Sequence, residues 1–306
     1  MANPTGTDFE KTINEDGAYT FTSSDFGWSD ADSWFGDTFG GVKITTLPAS
    51  GTLTLNGTAV ESGDKIAASD IPNLVWTPVA NANGDVSFDF QVYSKWFGFD
   101  GGTDQSPNTA TLHVAAANDA PVLTLSSPHL TSINEDAVDN AGQTIASVLG
   151  DSVADVDTGA VEGIAITGLT SGNGTWQYQL AGSADWVNVG SVSGTGALLL
   201  GAADSIRFVP NGENGTDASF TYHAWDQTSG VHGTLADTTT NGTTSAFSSG
   251  SDTATIAVSE VNDPAKIEVL EGSDTSVTED SDVTAGNLVA TGSISVDDVD
   301  GADTAT

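Results

Sequence analysis

Four stretches alternate apolar and polar residues at a period of two: Thr52-Leu53-Thr54-Leu55, Ser87-Phe88-Asp89-Phe90-Gln91-Val92, Ser219-Phe220-Thr221-Tyr222-His223-Ala224 and Thr253-Ala254-Thr255-Ile256-Ala257-Val258. An extended strand with this pattern carries its apolar side chains on one face, which describes half-buried antiparallel sheet and suits no helix. The turns agree. Asn-Gly pairs begin at Asn56, Asn83, Asn173, Asn214 and Asn241 and supply the positive φ that tight hairpins need. Of the 42 acids, 32 are Asp, and 35 residues are Gly, so the commonest residues favour turns over helix. The fold class read from this is all-β. Asn56, Asn173, Asn214 and Asn241 also open Asn-Gly-Thr, a glycosylation acceptor, but the hairpin explains the pair without further machinery.

Internal repetition organises the chain. Asn14-Glu15-Asp16 returns as Asn134-Glu135-Asp136 after 120 residues and as Thr278-Glu279-Asp280 after a further 144. Asn118-Asp119-Ala120-Pro121 returns as Asn262-Asp263-Pro264, again 144 residues on. Each Asn-Asp follows a terminal strand, Thr109 to Ala115 or Thr253 to Val258, and the proline makes a short extended linker of it. The predicted domains are 1–118 and 119–262. The fragment 263–306 is too small to close a core alone and reads as the start of a third.

Charge narrows the partners. Six Lys+Arg stand against 42 Asp+Glu, a net charge of −36, so nucleic acid and anionic membranes lack the basic patches that bind them. Cations are the expected partners. The absence of cysteine removes disulfides, thiolate zinc sites and thiol catalysis. Residues 1–10 show no basic and apolar leader, and no apolar run reaches 18 residues, so neither a cleavable signal nor membrane insertion is expected.

The residues themselves point to calcium, a hard cation that takes six to eight oxygens from several loops. Asp30-x-Asp32, Asp155-x-Asp157 and Asp298-x-Asp300 follow Glu15, Glu135 and Glu279 in the same order each time. One Asp-x-Asp is usually a solvated turn. Three in register favour ligands.

Beyond these markers, the first repeat carries Val42-Lys43-Ile44-Thr45-Thr46-Leu47-Pro48, Gly51-Thr52-Leu53-Thr54-Leu55-Asn56-Gly57 and Phe88-Asp89-Phe90-Gln91-Val92. The second carries Trp176-Gln177-Tyr178, Ile206-Arg207-Phe208-Val209-Pro210, Ala224-Trp225-Asp226-Gln227-Thr228-Ser229-Gly230 and Val261-Asn262-Asp263-Pro264. The fragment carries Val277-Thr278-Glu279-Asp280 and Ser295-Val296-Asp297-Asp298-Val299-Asp300-Gly301. In this order and spacing the chain resembles the tandem cadherin-like and VCBS-type extender repeats of giant bacterial repeats-in-toxin adhesins. The resemblance implies tandem Ig-like β-sandwiches in an elongated array, secreted to the bacterial cell surface, serving cell adhesion and biofilm. It also implies Ca²⁺ at the junctions between neighbouring repeats. One junction set would be Glu15, Asn118, Asp119, Asp155 and Asp157 with Asp226; the next would be Glu135, Asn262, Asp263, Asp298 and Asp300. Asp30, Asp32 and Glu279 would serve neighbours outside this sequence.

Two features depart from the pattern. Ser94 stands where the second repeat has Asp226, and a hydroxyl is the weaker calcium ligand. The first repeat also carries Phe26, Trp28, Trp34, Phe35 and Phe39 around its Asp-x-Asp, and Trp96, Phe97 and Phe99 after Ser94. These rings either pack into a mini-core or form an exposed patch for a glycan, a partner domain or a surface. No nucleophile elbow, zinc-protease helix or phosphate loop is present, and His113, His129, His223 and His232 are scattered, so no enzyme is expected. The reading is a calcium-rigidified extender segment. A carbohydrate- or partner-binding module using Trp28, Trp34, Phe35, Trp96, Phe97 and Phe99, and an ancillary region of a secreted hydrolase, are the alternatives.

Overall fold

The computed structural model describes residues 3–31, 33, 36–273, 276, 283–285, 287, 288 and 291–300. The chain divides into two compact units, Met1–Asn118 and Asp119–Thr306, so that residues 263–306 fall with 119–262. Among the described residues no helix is long and apolar enough to cross a membrane.

The first unit contains β1 (Phe9–Asn14), β2 (Tyr19–Thr20), β3 (Asp37–Ile44), β4 (Thr52–Leu55), β5 (Thr58–Ala59), β6 (Lys65–Ala67), β7 (Leu74–Thr77), β8 (Gly84–Trp96), β9 (Phe99–Thr103) and β10 (Asn108–Ala115). One sheet runs β1-β10-β8-β3-β6, with β9 joined to β8; the other runs β2-β7-β4-β5. The core between them takes Val42, Ile44, Phe88, Phe90 and Val92 from the first sheet and Leu53, Leu74 and Trp76 from the second. The period-two pattern is its cause: in β8, buried Phe88, Phe90 and Val92 alternate with half-buried Asp89 and Gln91. Phe26, from a short 3-10 turn, enters this core edge-on to Phe90 at a centroid distance of 4.9 Å.

The second unit contains β11 (Val122–Leu123), β12 (Ile133–Asn134), β13 (Gln143–Thr144), the single-turn α1 (Ile145–Leu149), β14 (Val153–Ala154), β15 (Gly163–Thr170), β16 (Gly174–Gln179), β17 (Val187–Asn188), β18 (Ala197–Gly201), β19 (Ser205–Pro210), β20 (Thr216–Trp225), β21 (Leu235–Ala236) and β22 (Phe247–Ser259). It continues through β23 (Lys266–Val269), β24 (Val283–Thr284), β25 (Asn287–Leu288) and β26 (Ile294–Asp297). Its main sheets are β12-β22-β20-β15-β18-β21 and β13-β19-β16-β17, packed over Trp176, Phe208, Phe220 and Tyr222. β11 pairs β14, β23 pairs β26 and β24 pairs β25. Arg207, the chain's one arginine, lies 4.3 Å from the Trp186 ring and donates to Gln177 and to the Asn140 carbonyl.

The all-β reading holds, with one difference. β1 runs parallel to β10 and β12 parallel to β22, where antiparallel neighbours were expected. β1 and β12 thus return beside the later strands β10 and β22 and point the same way, so the paired strands finish at one end. Accordingly the Glu15 N–H reaches the Ala115 carbonyl and the Glu135 N–H the Ser259 carbonyl, each at 3.1 Å.

Asp252 on β22 is buried and ties down the segment after β11. Its carboxylate accepts the N–H groups of Ser126 (2.8 Å), Ser127 (2.9 Å) and Thr253 (2.7 Å). Burial pushes its carboxyl up, but these donors outweigh burial and hold it below the usual carboxylate range. Its contribution is therefore present above about pH 4 and lost as pH falls through the folded value. Asp252→Ala removes the charged acceptor of these three bonds and is expected to destabilise the full chain by on the order of 2 kcal/mol at neutral pH. Calorimetry across pH should show the gap to wild type closing in acid; a gap that is constant with pH would refute the role.

Candidate metal centre

Three carboxylates of the second unit converge. Glu135 directly follows β12, Asp263 lies between β22 and β23, and Asp300 follows β26. Each offers one ligand oxygen, and these oxygens lie within 4.8 Å of one another. Glu135 is 0% exposed and Asp300 6%. One buried oxygen of each of the three has no hydrogen-bond partner: Glu135 Oε2, Asp263 Oδ2 and Asp300 Oδ1. Buried, unpartnered carboxylate oxygens side by side are costly unless a cation neutralises them.

Their other oxygens fix the geometry. Glu135 Oε1 accepts the Val261 N–H at 2.6 Å, and Asp300 Oδ2 accepts the Asp263 N–H in a short bond. Asp298 Oδ1 in turn accepts the Asp300 N–H at 3.1 Å. A strand end, a linker and an Asp-x-Asp turn are thereby held together. Burial first, then the Asp300 carboxylate, then Asp136, Glu213 and Asp298, push the Asp263 carboxyl above the usual range. Glu213 also lines, with Asp263, Lys266 and Asp297, a cavity of about 240 Å³. Neither Asp136 nor Glu213 was singled out from sequence, although Asp136 sits inside the repeated Asn-Glu-Asp marker.

Of the expected second set, Glu135, Asp263 and Asp300 are brought together. Asp298 orients Asp300, and the exposed Asn262 donates its side-chain amide to the Asp263 carbonyl at 3.1 Å. The same local bonds recur elsewhere. In the first unit the buried Glu15 accepts the Ala117 N–H at 2.8 Å, and Asn118 is half-buried after β10. In the second unit Asp157 accepts the Asp119 N–H and Asp155 the Asp157 N–H, each at 2.9 Å. With Glu162, unremarked in the sequence, Asp155 and Asp157 line a cavity of about 200 Å³. Asp226 is buried after β20 and accepts both the N–H and the hydroxyl of Thr228. Asp30 is buried; Asp32, Trp34, Phe35 and Glu279 lie outside the described residues.

Ser94 is buried and directs its hydroxyl at the Gly102 carbonyl (3.4 Å), inside its own hairpin. The aromatic insertions divide between the two open readings. Phe26 is core, and Trp28 and Phe39 are half-buried against it. Trp96, Phe97 and Phe99 are exposed. No histidine belongs to the carboxylate group. His223 faces the Ser248 and Gly250 carbonyls, and His232 lies 3.0 Å from an Asp204 that already accepts the Ala181 and Gly201 N–H groups.

No family model and no curated protein matches the chain. Among solved structures it is similar to mouse cadherin-23 EC22-24 at 13% identity, covering 87% of this chain and 69% of that one, with a TM-score of 0.42. Human mucin-like protocadherin EC1-2 follows at 12% identity, with 84% and 98% covered and a TM-score of 0.38. The adhesive subunit CfaE of enterotoxigenic Escherichia coli fimbriae is matched at 9% identity, with 84% and 99% covered and a TM-score of 0.31.

The raised Asp263 carboxyl has a testable sign. A carboxyl held above its unfolded value contributes stability at low pH and loses it as pH rises through the folded value. Without divalent cations, the second unit should therefore weaken through the carboxylate range relative to an Asp300→Asn variant, whose amide leaves Asp263 less crowded. Calorimetry in chelator would refute this if the stability difference between wild type and variant does not change with pH.

Proposed function

We propose that the chain is a calcium-binding extender segment of a secreted bacterial cell-surface adhesin, of the repeats-in-toxin type with VCBS-like repeats, acting in cell adhesion and biofilm. The observation that carries the reading is the group Glu135, Asp263 and Asp300, with three buried oxygens left without hydrogen bonds. The donor set is all oxygen and anionic, as calcium prefers. Oxygens bound to one calcium at about 2.3–2.6 Å lie at most about 5 Å apart, so a separation within 4.8 Å fits. Bound there, calcium would supply positive charge rather than chemistry. Glu135 would anchor it to the end of β12, Asp263 to the linker and Asp300 to the turn, fixing the linker backbone between them. Recurrence of the same bonds at Glu15, and at Asp119, Asp155 and Asp157, supports a repeated structural device rather than a single active centre. Domains 1–118 and 119–262, followed by the start of a third, are the repeat units of this reading.

An ion bound only by the folded chain stabilises it by about 4 kcal/mol at a thousandfold excess over Kd. Millimolar calcium is therefore expected to raise the melting temperature over that in chelator. Glu135→Gln should lose a large part of the gain, while Asp185→Ala, on an exposed loop, should keep it. Coincident melting curves with and without calcium would overturn the reading, and equal losses in both variants would reduce it to diffuse charge screening.

A further inference from the structure

The hairpin joining β8 to β9 turns through Phe97 and Gly98, with φ of +47° and +84°, and pairs Trp96 with Phe99. This is the two-residue turn that Asn-Gly fills without strain. A phenylalanine in the left-handed region is uncommon, and such outliers gather where function demands them. The cost is doubled by exposure: Phe97 and Phe99 are 75% exposed and Trp96 41%. Among the described residues, every exposed Phe, Trp or Tyr side chain lies in this hairpin.

A second unfavourable arrangement lies on the same sheet. Lys43 on β3 stands directly opposite Lys65 on β6, a like-charge pair that weakens a sheet. Lys65 is held over the Tyr93 ring at 5.0 Å and beside Asp100 at 2.8 Å, while Lys43 and Lys95 make no ion pair among the described residues. Four of the chain's five lysines sit on this sheet of a molecule of net charge −36; Lys11 on β1 is paired with Asp25, and the other three lie on the neighbouring strands β3, β6 and β8. Lys43 is in register with Gln91, and Phe97 lies six residues beyond Gln91, about 20 Å along the strand. That length suits an extended polymer better than a small ligand.

We propose that this face of the first unit binds an acidic polysaccharide: Lys43, Lys65 and Lys95 meet its carboxylates, and the tip rings Trp96, Phe97 and Phe99 stack on the apolar faces of its sugars. Charge complementarity at Lys43 and Lys95 selects an anion, and at Lys65 its carboxylate takes the place of Asp100. The exposed rings favour a sugar over an acidic peptide; β3 and β8, which carry Lys43 and Lys95, are interior strands, so a peptide could add to the sheet only along the edge strands β6 or β9. The site shares no residue with the carboxylate centre and does not depend on calcium.

Isothermal titration of the full chain, in chelator at low ionic strength, with a hyaluronan octasaccharide of alternating glucuronate and N-acetylglucosamine tests it. Binding is expected, and Phe97→Asn and Lys43→Gln should each weaken it by about tenfold. Both substitutions remove a local conflict, so both variants should melt at or above the wild-type temperature, which separates lost binding from lost fold. The proposal is overturned if no heat of binding appears or if both variants bind as wild type does. It is equally overturned if polyglutamate, or an uncharged N-acetylglucosamine hexasaccharide, binds as tightly.

Discussion

A carboxylate removed from water needs donors or a cation, and the ends of these sandwiches are organised around that requirement. Glu15 and Glu135 follow β1 and β12, are nearly or wholly buried, and each use one oxygen on an amide just past the parallel partner strand, β10 or β22. The parallel pairing of β1 with β10, and of β12 with β22, makes this possible by delivering both strand ends to the same place. Backbone hydrogen bonding thus converts a topological choice into the position of a charge. At Glu135 the remaining oxygen lies close to those of Asp263 and Asp300, and the three have no hydrogen-bond donor.

Other buried acids show the contrasting solution. Asp252 is also buried, but amide donors meet it from Ser126, Ser127 and Thr253, and its carboxyl is held low rather than high. Asp204 is clamped by Ala181 and Gly201 in the same manner. Burial alone therefore does not mark a cation site. Glu135, Asp263 and Asp300 differ from these acids in that each has a buried carboxylate oxygen close to the others and without a donor.

The first unit keeps its conflicts elsewhere. Its core is rich in aromatic edge contacts, such as Phe9 on Phe26 at 5.6 Å and Phe21 on Phe88 at 5.6 Å, and needs nothing from the hairpin tip. Phe97 at positive φ and Lys43 opposite Lys65 detract from the stability of a unit that would fold more comfortably without them. Arg207 shows what an integrated cation looks like: it stacks on Trp186 and donates to Gln177 and the Asn140 carbonyl, with little exposure.

The sequence by itself determined the strands and their faces, because period-two alternation at Ser87–Val92 or Ser219–Ala224 has one physical solution when a face is buried. It also marked Glu135 and Asp263, through two markers that recur 144 residues apart, and Asp300, through an Asp-x-Asp that follows each repeated Glu. Only the tertiary structure decided which of the marked acids come together. Direction of pairing is not encoded in alternation, so the parallel closing strands, and with them the place of Glu135, became visible only in the fold. Glu213 comes from a β19–β20 loop that no periodicity marks, and its nearness to Asp263 depends on how that loop meets the linker. The aromatic residues divided for the same reason: Phe26 and Phe97 are alike in sequence, but one sits on a turn packed over β8 and the other on the hairpin that extends beyond it. Composition sets which side chains want burial, and topology sets which of them are granted it.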